Sequence, residues 1–212
     1  MPRVRLTYAF DAYCGWCYGC GPALHRFTTA NASRIELQVM SGGLFSGATA
    51  GPTGAYPHIP AANERITGLT GVIFGEPYQR VLAEGTMMMD SAAAAAGLVA
   101  LRRQAPERAL EFAAAIQSAW YLQGRDLRDP ALYREIAAAH GIDADEVSEV
   151  YATPAVRAEA EEDFRRLRRL GVSQYPALLL HTATGVHRLG GPVSNAEALT
   201  AALDAHLLPS TP

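Results

Sequence analysis

Val4, Leu6, Tyr8 and Phe10 alternate with polar or small residues. That period of two predicts a strand, and it runs directly into Asp11, Ala12, Tyr13 and Cys14. From Cys14 to about Asn31 the pattern is helical, with Leu24 and Phe27 three apart. Pro22 within it predicts a kink or an early end to the first turn. Ile35, Leu37 and Val39 alternate again, giving a second strand that is parallel to the first if the helix between them is a crossover.

The Gly/Pro-rich stretch from Ser41 to about Pro60 reads as loop. From about Ala61 to Tyr151 the pattern is helical throughout. Asp129 before Pro130 predicts an N-cap with proline at the first helical position. Asp143 with Glu146 resembles a capping box. The alanine run Ala92 to Ala96 is read as plain helix propensity rather than close packing. Thr153 and Pro154 open a further helix with an apolar stripe of Val156, Ala160, Phe164, Leu167 and Leu170. Its Glu161–Arg165 and Glu162–Arg166 pairs form a solvated face. Ala177 to Leu180 is a short apolar strand, Thr184 and Gly185 a turn, and Val186 to Leu189 the hairpin partner. Ser194 with Glu197 predicts a capping box for a last helix ending near Leu207.

The chain has 212 residues and a net charge of −3. Its length suits one domain with a large insertion. The charge gives no footprint for nucleic acid or an anionic membrane. No run approaches the roughly 20 apolar residues that span a bilayer. Arg3 and Arg5 are followed by Tyr8 and Asp11 rather than by an apolar stretch, so no secretory signal is read and a cytoplasmic location is expected. The only cysteines are Cys14, Cys17 and Cys20. An odd number crowded into seven residues is no disulfide framework, and in a reducing compartment such cysteines are catalytic or metal-binding.

Cys14, Gly15, Trp16 and Cys17 lie where a strand gives way to a helix. Thiol–disulfide exchange needs a thiolate, and a free thiol with a pKa of about 8.5 is mostly protonated at neutral pH. The unpaired N–H groups and positive dipole end of a helix N-terminus stabilise that anion. Spacing within the first turn lets the second sulfur reach the first. Cys14 is expected to be the exposed attacker, and Cys17 the buried thiol that breaks the mixed disulfide. Tyr175 and Pro176 stand just before the strand Ala177 to Leu180, where proline is also at home simply as a strand's first residue.

Phe10 to Gly19 (FDAYCGWCYG) resembles the active-site segment of DsbA-family proteins, especially the cytosolic branch of FrnE-like and predicted protein-disulfide isomerases. Ser41 to Leu44 resembles that group's glycine turn. Thr70 and Gly71, Phe74 and Gly75, and Gln117 to Tyr121 with Gly124 to Asp126 resemble its helical-insert signatures. Gly171 to Pro176 resembles its cis-proline segment. The resemblance implies an α/β chain with a thioredoxin fold carrying a large α-helical insertion. Residues 1–60 and 152–212 would form the discontinuous thioredoxin-like domain, and 61–151 the insert. It implies Cys14 and Cys17 as catalytic residues, and Gly15, Trp16, Tyr175 and Pro176 as substrate-binding ones. The backbone of Tyr175 would pair with substrate before a cis-Pro176. The redox group would be the Cys14–Cys17 disulfide itself, with no separate cofactor and with glutathione as an exchange partner. Expected partners are protein or small-molecule thiols and disulfides, for an oxidoreductase or isomerase. Cys20 departs from the family pattern, as does tyrosine before the proline.

Cys20 is read as a small buried hydrophobe; the alternative is a second resolving thiol. No metal is assigned, because a closed zinc site wants four ligands and His25 stands eight residues beyond Cys17. Asp11 is read as a helix cap or local structure, the alternative being proton acceptor for Cys17. Met87 to Met89, Trp120 and Tyr121 are read as packing residues. Two other functions stay open: a glutathione-dependent transferase or isomerase on the same fold, whose relatives commonly carry serine at the Cys14 position, and a non-catalytic adaptor or metal-binding protein.

Overall fold

The computed structural model describes residues 3–207. Strand β1 (Val4–Phe10) leads into helix α1 (Gly15–Ala30), which crosses over to β2 (Ile35–Ser41). β5 (Ala177–Thr182) and β6 (Gly185–Leu189) follow much later, and the sheet order is β2-β1-β5-β6. β1 and β2 are parallel, with Val4 opposite Ile35; β5 runs antiparallel to β1, and β6 antiparallel to β5. This is an α/β thioredoxin fold with a helical insertion.

Both faces of the sheet are covered. Leu6, Tyr8, Phe10, Leu178 and Leu180 belong to the main core together with Leu24 and Phe27 of α1. Ala9, Met40, Ala177 and Leu179 pack on the other side with Leu167 of α8 (Pro154–Arg169) and Val172. The alternation in β1 is therefore large against small rather than inside against outside. Even Thr7 is buried, where its hydroxyl meets Nε2 of His181 at 2.8 Å.

Between β2 and β5 lie α2 (Ile59–Thr70), α3 (Glu76–Glu84), α4 (Ser91–Gln104), α5 (Ala109–Tyr121), α6 (Pro130–Ala139) and α7 (Ala144–Tyr151). This stretch is not helical throughout. Gly51 and Pro52 (β3) pair antiparallel with Met88 and Met89 (β4), tying the stretch read as loop to the middle of the helical block. Two-residue strands carry no alternation for a sequence reading to find. The aspartate caps are as expected: Asp129 accepts from the N–H of Ala131, and Asp143 from those of Asp145 and Glu146. At the last helix, α9 (Ala196–Leu207), the cap is Asn195, which accepts from Ala198 N–H; Ser194 instead accepts from Gly191 N–H. α1 runs unbroken through Pro22.

The alanine run corrects a second reading. Ala93 to Ala96 are at most 2% exposed, because α4 runs through the centre of the helical layer between α5 and α8. Small side chains let its neighbours approach. At Gly97 a Cβ would fall 1.9 Å from the buried ring of Tyr133. Gly97→Ala is expected to destabilise the fold by about 1–3 kcal/mol, overpacking outweighing the gain in helix propensity. A fall in urea midpoint at unchanged slope checks this.

One carbonyl of the β2 edge, that of Val39, is capped. Arg102 of α4 donates to Val39 O at 3.0 Å, to Asp163 at 2.6 Å and to Glu159 at 3.0 Å. A guanidinium on an edge carbonyl is a block against unplanned strand pairing.

Candidate active site

β1 ends at Phe10, and a turn brings Cys14 to the mouth of α1. Cys14 N–H donates to Asp11 O at 3.0 Å, and Tyr18 N–H returns the first helical bond to Cys14 O at 3.1 Å. Cys14 is thus the N-cap. Its Sγ accepts from Cys17 N–H at 3.3 Å, the role that a serine or aspartate oxygen plays at other caps. The sulfur also faces the positive end of the helix dipole. All three cysteines are free thiols.

The far end of the chain closes over this sulfur. The Cys14 thiol donates to Tyr175 O at 3.5 Å, and the Tyr175–Pro176 bond is cis. Arg188 of β6 donates to Pro176 O at 2.7 Å and holds the segment from behind. Gly42, in the turn after β2, leaves room for the Tyr175 ring; a Cβ there would lie 2.2 Å from Cζ. Sequence-distant Cys14, Cys17, Tyr175 and Pro176 therefore meet, and Gly42 joins them. Cys14 itself is 5% exposed and Cys17 0%. Cys14 is recessed rather than exposed as expected, because a segment 161 residues away lies over it.

Burial, with Cys14 beside it, holds the Cys17 thiol well above its ordinary pKa. Burial likewise pushes Cys20 to about 12. Cys20 Sγ donates to Cys17 O at 3.3 Å and touches Tyr8 Oη at 3.5 Å, one turn further into the helix. These contacts suit a packed, protonated thiol.

Asp11 does not cap α1. Its carboxylate is fully buried and accepts from Tyr13 N–H and from Leu44 N–H, each at 3.0 Å, pinning the turn after β2 to the turn that leads into Cys14. Burial outweighs these bonds and raises its pKa to about 6.

α2 lies against the first turns of α1. A Cβ on Gly15 would be 2.9 Å from Ile66 Cδ1, and one on Gly19 would be 2.7 Å from Ile66 Cγ2. Asn63 donates to Tyr78 Oη at 3.1 Å, fixing α2 to α3. Trp16 is half-buried, with the Arg65 guanidinium carbon 5.9 Å above its ring. Arg65, Asn63 and Ile66 escaped the sequence reading; two glycines four apart on α1 were the available sign of a close helix. Trp120 and Tyr121 are core residues. Trp120 packs edge-on to Tyr13 at 5.0 Å, and Tyr121 stacks on Tyr18 at 4.6 Å. Met89 is buried in the same cluster.

Among the described residues, no helix is long and apolar enough to cross a membrane. No curated protein matches the chain. Among solved structures it is similar to a candidate protein disulfide isomerase from Nitrosomonas europaea, at 25% identity and a TM-score of 0.85 over 97% of this chain and 98% of that one. It is similar, at 25% identity and a TM-score of 0.82 over 96% and 98%, to DsbM, described as a cytosolic disulfide reductase from Pseudomonas aeruginosa. DsbM with GSH gives 26% identity and a TM-score of 0.78 over 96% and 99%. Residues 5–189 match the model of the DSBA-like thioredoxin domain, and across that span, most of its length, the chain belongs to the DSBA-like thioredoxin family.

Proposed function

We propose that this protein is a dithiol–disulfide exchange enzyme in which Cys14 attacks and Cys17 resolves. One observation carries the reading: Cys14 Sγ sits at the α1 N-terminus, 3.3 Å from Cys17 N and 3.5 Å from the carbonyl that precedes a cis-proline. In the forward step the Cys14 thiolate attacks a substrate disulfide and expels one thiolate. Cys17 then gives up its proton and attacks Cys14 Sγ, releasing the second thiol and leaving a Cys14–Cys17 disulfide. The Tyr175 backbone and Pro176 form one wall of the groove, Gly15 and Trp16 the other. No separate cofactor is required.

The likeness to DsbM, solved both alone and with GSH, supports a cytosolic protein acting in the reducing or isomerising direction, with glutathione as an exchange partner. Net direction follows from the potential of the pair against that of its compartment. Cys17→Ser tests the assignment. Incubated with glutathione disulfide, this variant should accumulate a stable Cys14–glutathione adduct, seen by peptide mass mapping. An adduct elsewhere, or none, overturns the assignment. Full turnover by Cys17→Ser would transfer the resolving role to Cys20.

A further inference from the structure

We infer that Arg188 is a positioning residue of this site: by holding the Pro176 carbonyl it aims the Tyr175 carbonyl at Cys14 and keeps that thiol engaged as a donor. The inference rests on the reading of Cys14 as the nucleophile and adds what restrains it at rest.

Two consecutive carbonyls face opposite ways here. Tyr175 O accepts from the Cys14 thiol at 3.5 Å, and Pro176 O accepts from Arg188 Nη2 at 2.7 Å. The pyrrolidine ring of Pro176 locks φ, so ψ of that residue is the one soft torsion between the two carbonyl planes. The Tyr175 ring is seated over Gly42 on one side, and Pro176 O is held by Arg188 on the other. That torsion then has no play, and the Tyr175 carbonyl keeps its heading.

Nothing else on the protein supplies this hold. Pro176 is buried and has no N–H to donate. Pairing of β5 with β1 starts at Ala177, opposite Ala9, and pairing with β6 starts at Leu178, opposite Leu189. Pro176 O lies outside both ladders, and among the described residues only Arg188 donates to it. Arg188 stands opposite Leu179 and reaches back past the end of the hairpin. Although exposed, it forms no ion pair among the described residues, so this carbonyl is its one polar tie.

The aim of the Tyr175 carbonyl has a chemical effect. An oxygen that accepts from S–H favours the thiol, and its partial negative charge opposes the anion. The α1 N-terminus favours the thiolate. Two opposed influences therefore meet on one sulfur, and Arg188 sets the restraining one.

Alkylation of Cys14 by iodoacetamide, read by peptide mapping across pH, tests this, since the thiolate is the reacting form and no substrate disulfide is needed. Arg188→Met keeps the apolar stem and removes the donor. Its Cys14 should react about three to ten times faster than in the unmodified protein at mildly acidic pH, the worth of one hydrogen bond. The two rates should converge at alkaline pH, where the thiol is ionised in both. Arg188→Lys can still donate to Pro176 O and should return most of the way to the unmodified rate. Equal rates at every pH overturn the inference and leave Arg188 a surface residue. Slower alkylation of Arg188→Met in acid also overturns it, because losing a cation that merely attracts the thiolate acts in that direction. A lysine variant as fast as the methionine one would do the same. Each of these failures leaves the redox pair standing, since the glutathione adduct of Cys17→Ser tests that pair separately. No alkylation of Cys14 in any of the proteins would remove the nucleophile itself.

Discussion

Replacing Cys14 with serine should abolish disulfide turnover, a loss on the order of a thousandfold or more, because no other group on the protein can form the covalent intermediate. Cys17 is fully buried and its thiol is held protonated by burial, and Cys20 lies one turn deeper. Neither can stand in for the sulfur at the helix mouth. The fold should barely notice. Serine Oγ can accept the Cys17 N–H that Sγ accepts now, and serine is a favoured N-cap, so stability should stay within about 1 kcal/mol. Reduction of insulin or of glutathione disulfide, with thermal unfolding alongside, separates the two effects. Retained turnover would remove Cys14 from the mechanism.

Replacing Asp11 with asparagine should flatten the pH dependence of stability between about pH 4 and 6. The folded-state pKa of Asp11 is raised to about 6 from an ordinary 3.8, mainly by burial. Between those values the native state holds a proton that the unfolded chain has released. Stability from this group is therefore fully present below about 3.8 and declines as pH rises through about 6. A shift of this size corresponds to about 3 kcal/mol. Asparagine cannot ionise, so its variant should lack that decline. It should also lose one of two backbone bonds, since a single carbonyl oxygen cannot serve both Tyr13 and Leu44 as the carboxylate does. Asp163, also raised mainly by burial, contributes a decline of the same sign in both proteins. The measurement is thus the difference between their denaturant midpoints across pH, and parallel curves would refute the assignment.

Much of this arrangement was legible because it is local. The alternation in β1, the hairpin of β5 and β6 and the aspartate caps of α6 and α7 are each written within a few residues. So is the placement of Cys14 and Cys17 at a strand-to-helix junction. The resemblance added Tyr175 and Pro176, and the fold sets them against Cys14. What escaped depends on groups far apart in sequence. The roof over Cys14 comes from 161 residues away, the Leu44 N–H bound by Asp11 from 33, and the Val39 carbonyl capped by Arg102 from 63. Burial of the alanine run depends on where α8 settles, not on propensity. Ser194 and Asn195 both suit a cap, and only the backbone path past Gly191 decides between them.

The contact between Gly15 and Ile66 limits what can stand between the two cysteines. Two residues, Gly15 and Trp16, stand between the cysteines. The first is crowded: a Cβ on Gly15 would lie 2.9 Å from Ile66 Cδ1 and 3.3 Å from Asn63 Oδ1, so any side chain there must push these two side-chain ends aside. Position 16, whose side chain is only half-buried, is freer to vary. A library randomised at both intervening positions should return small residues at 15 more often than at 16 among its folded clones.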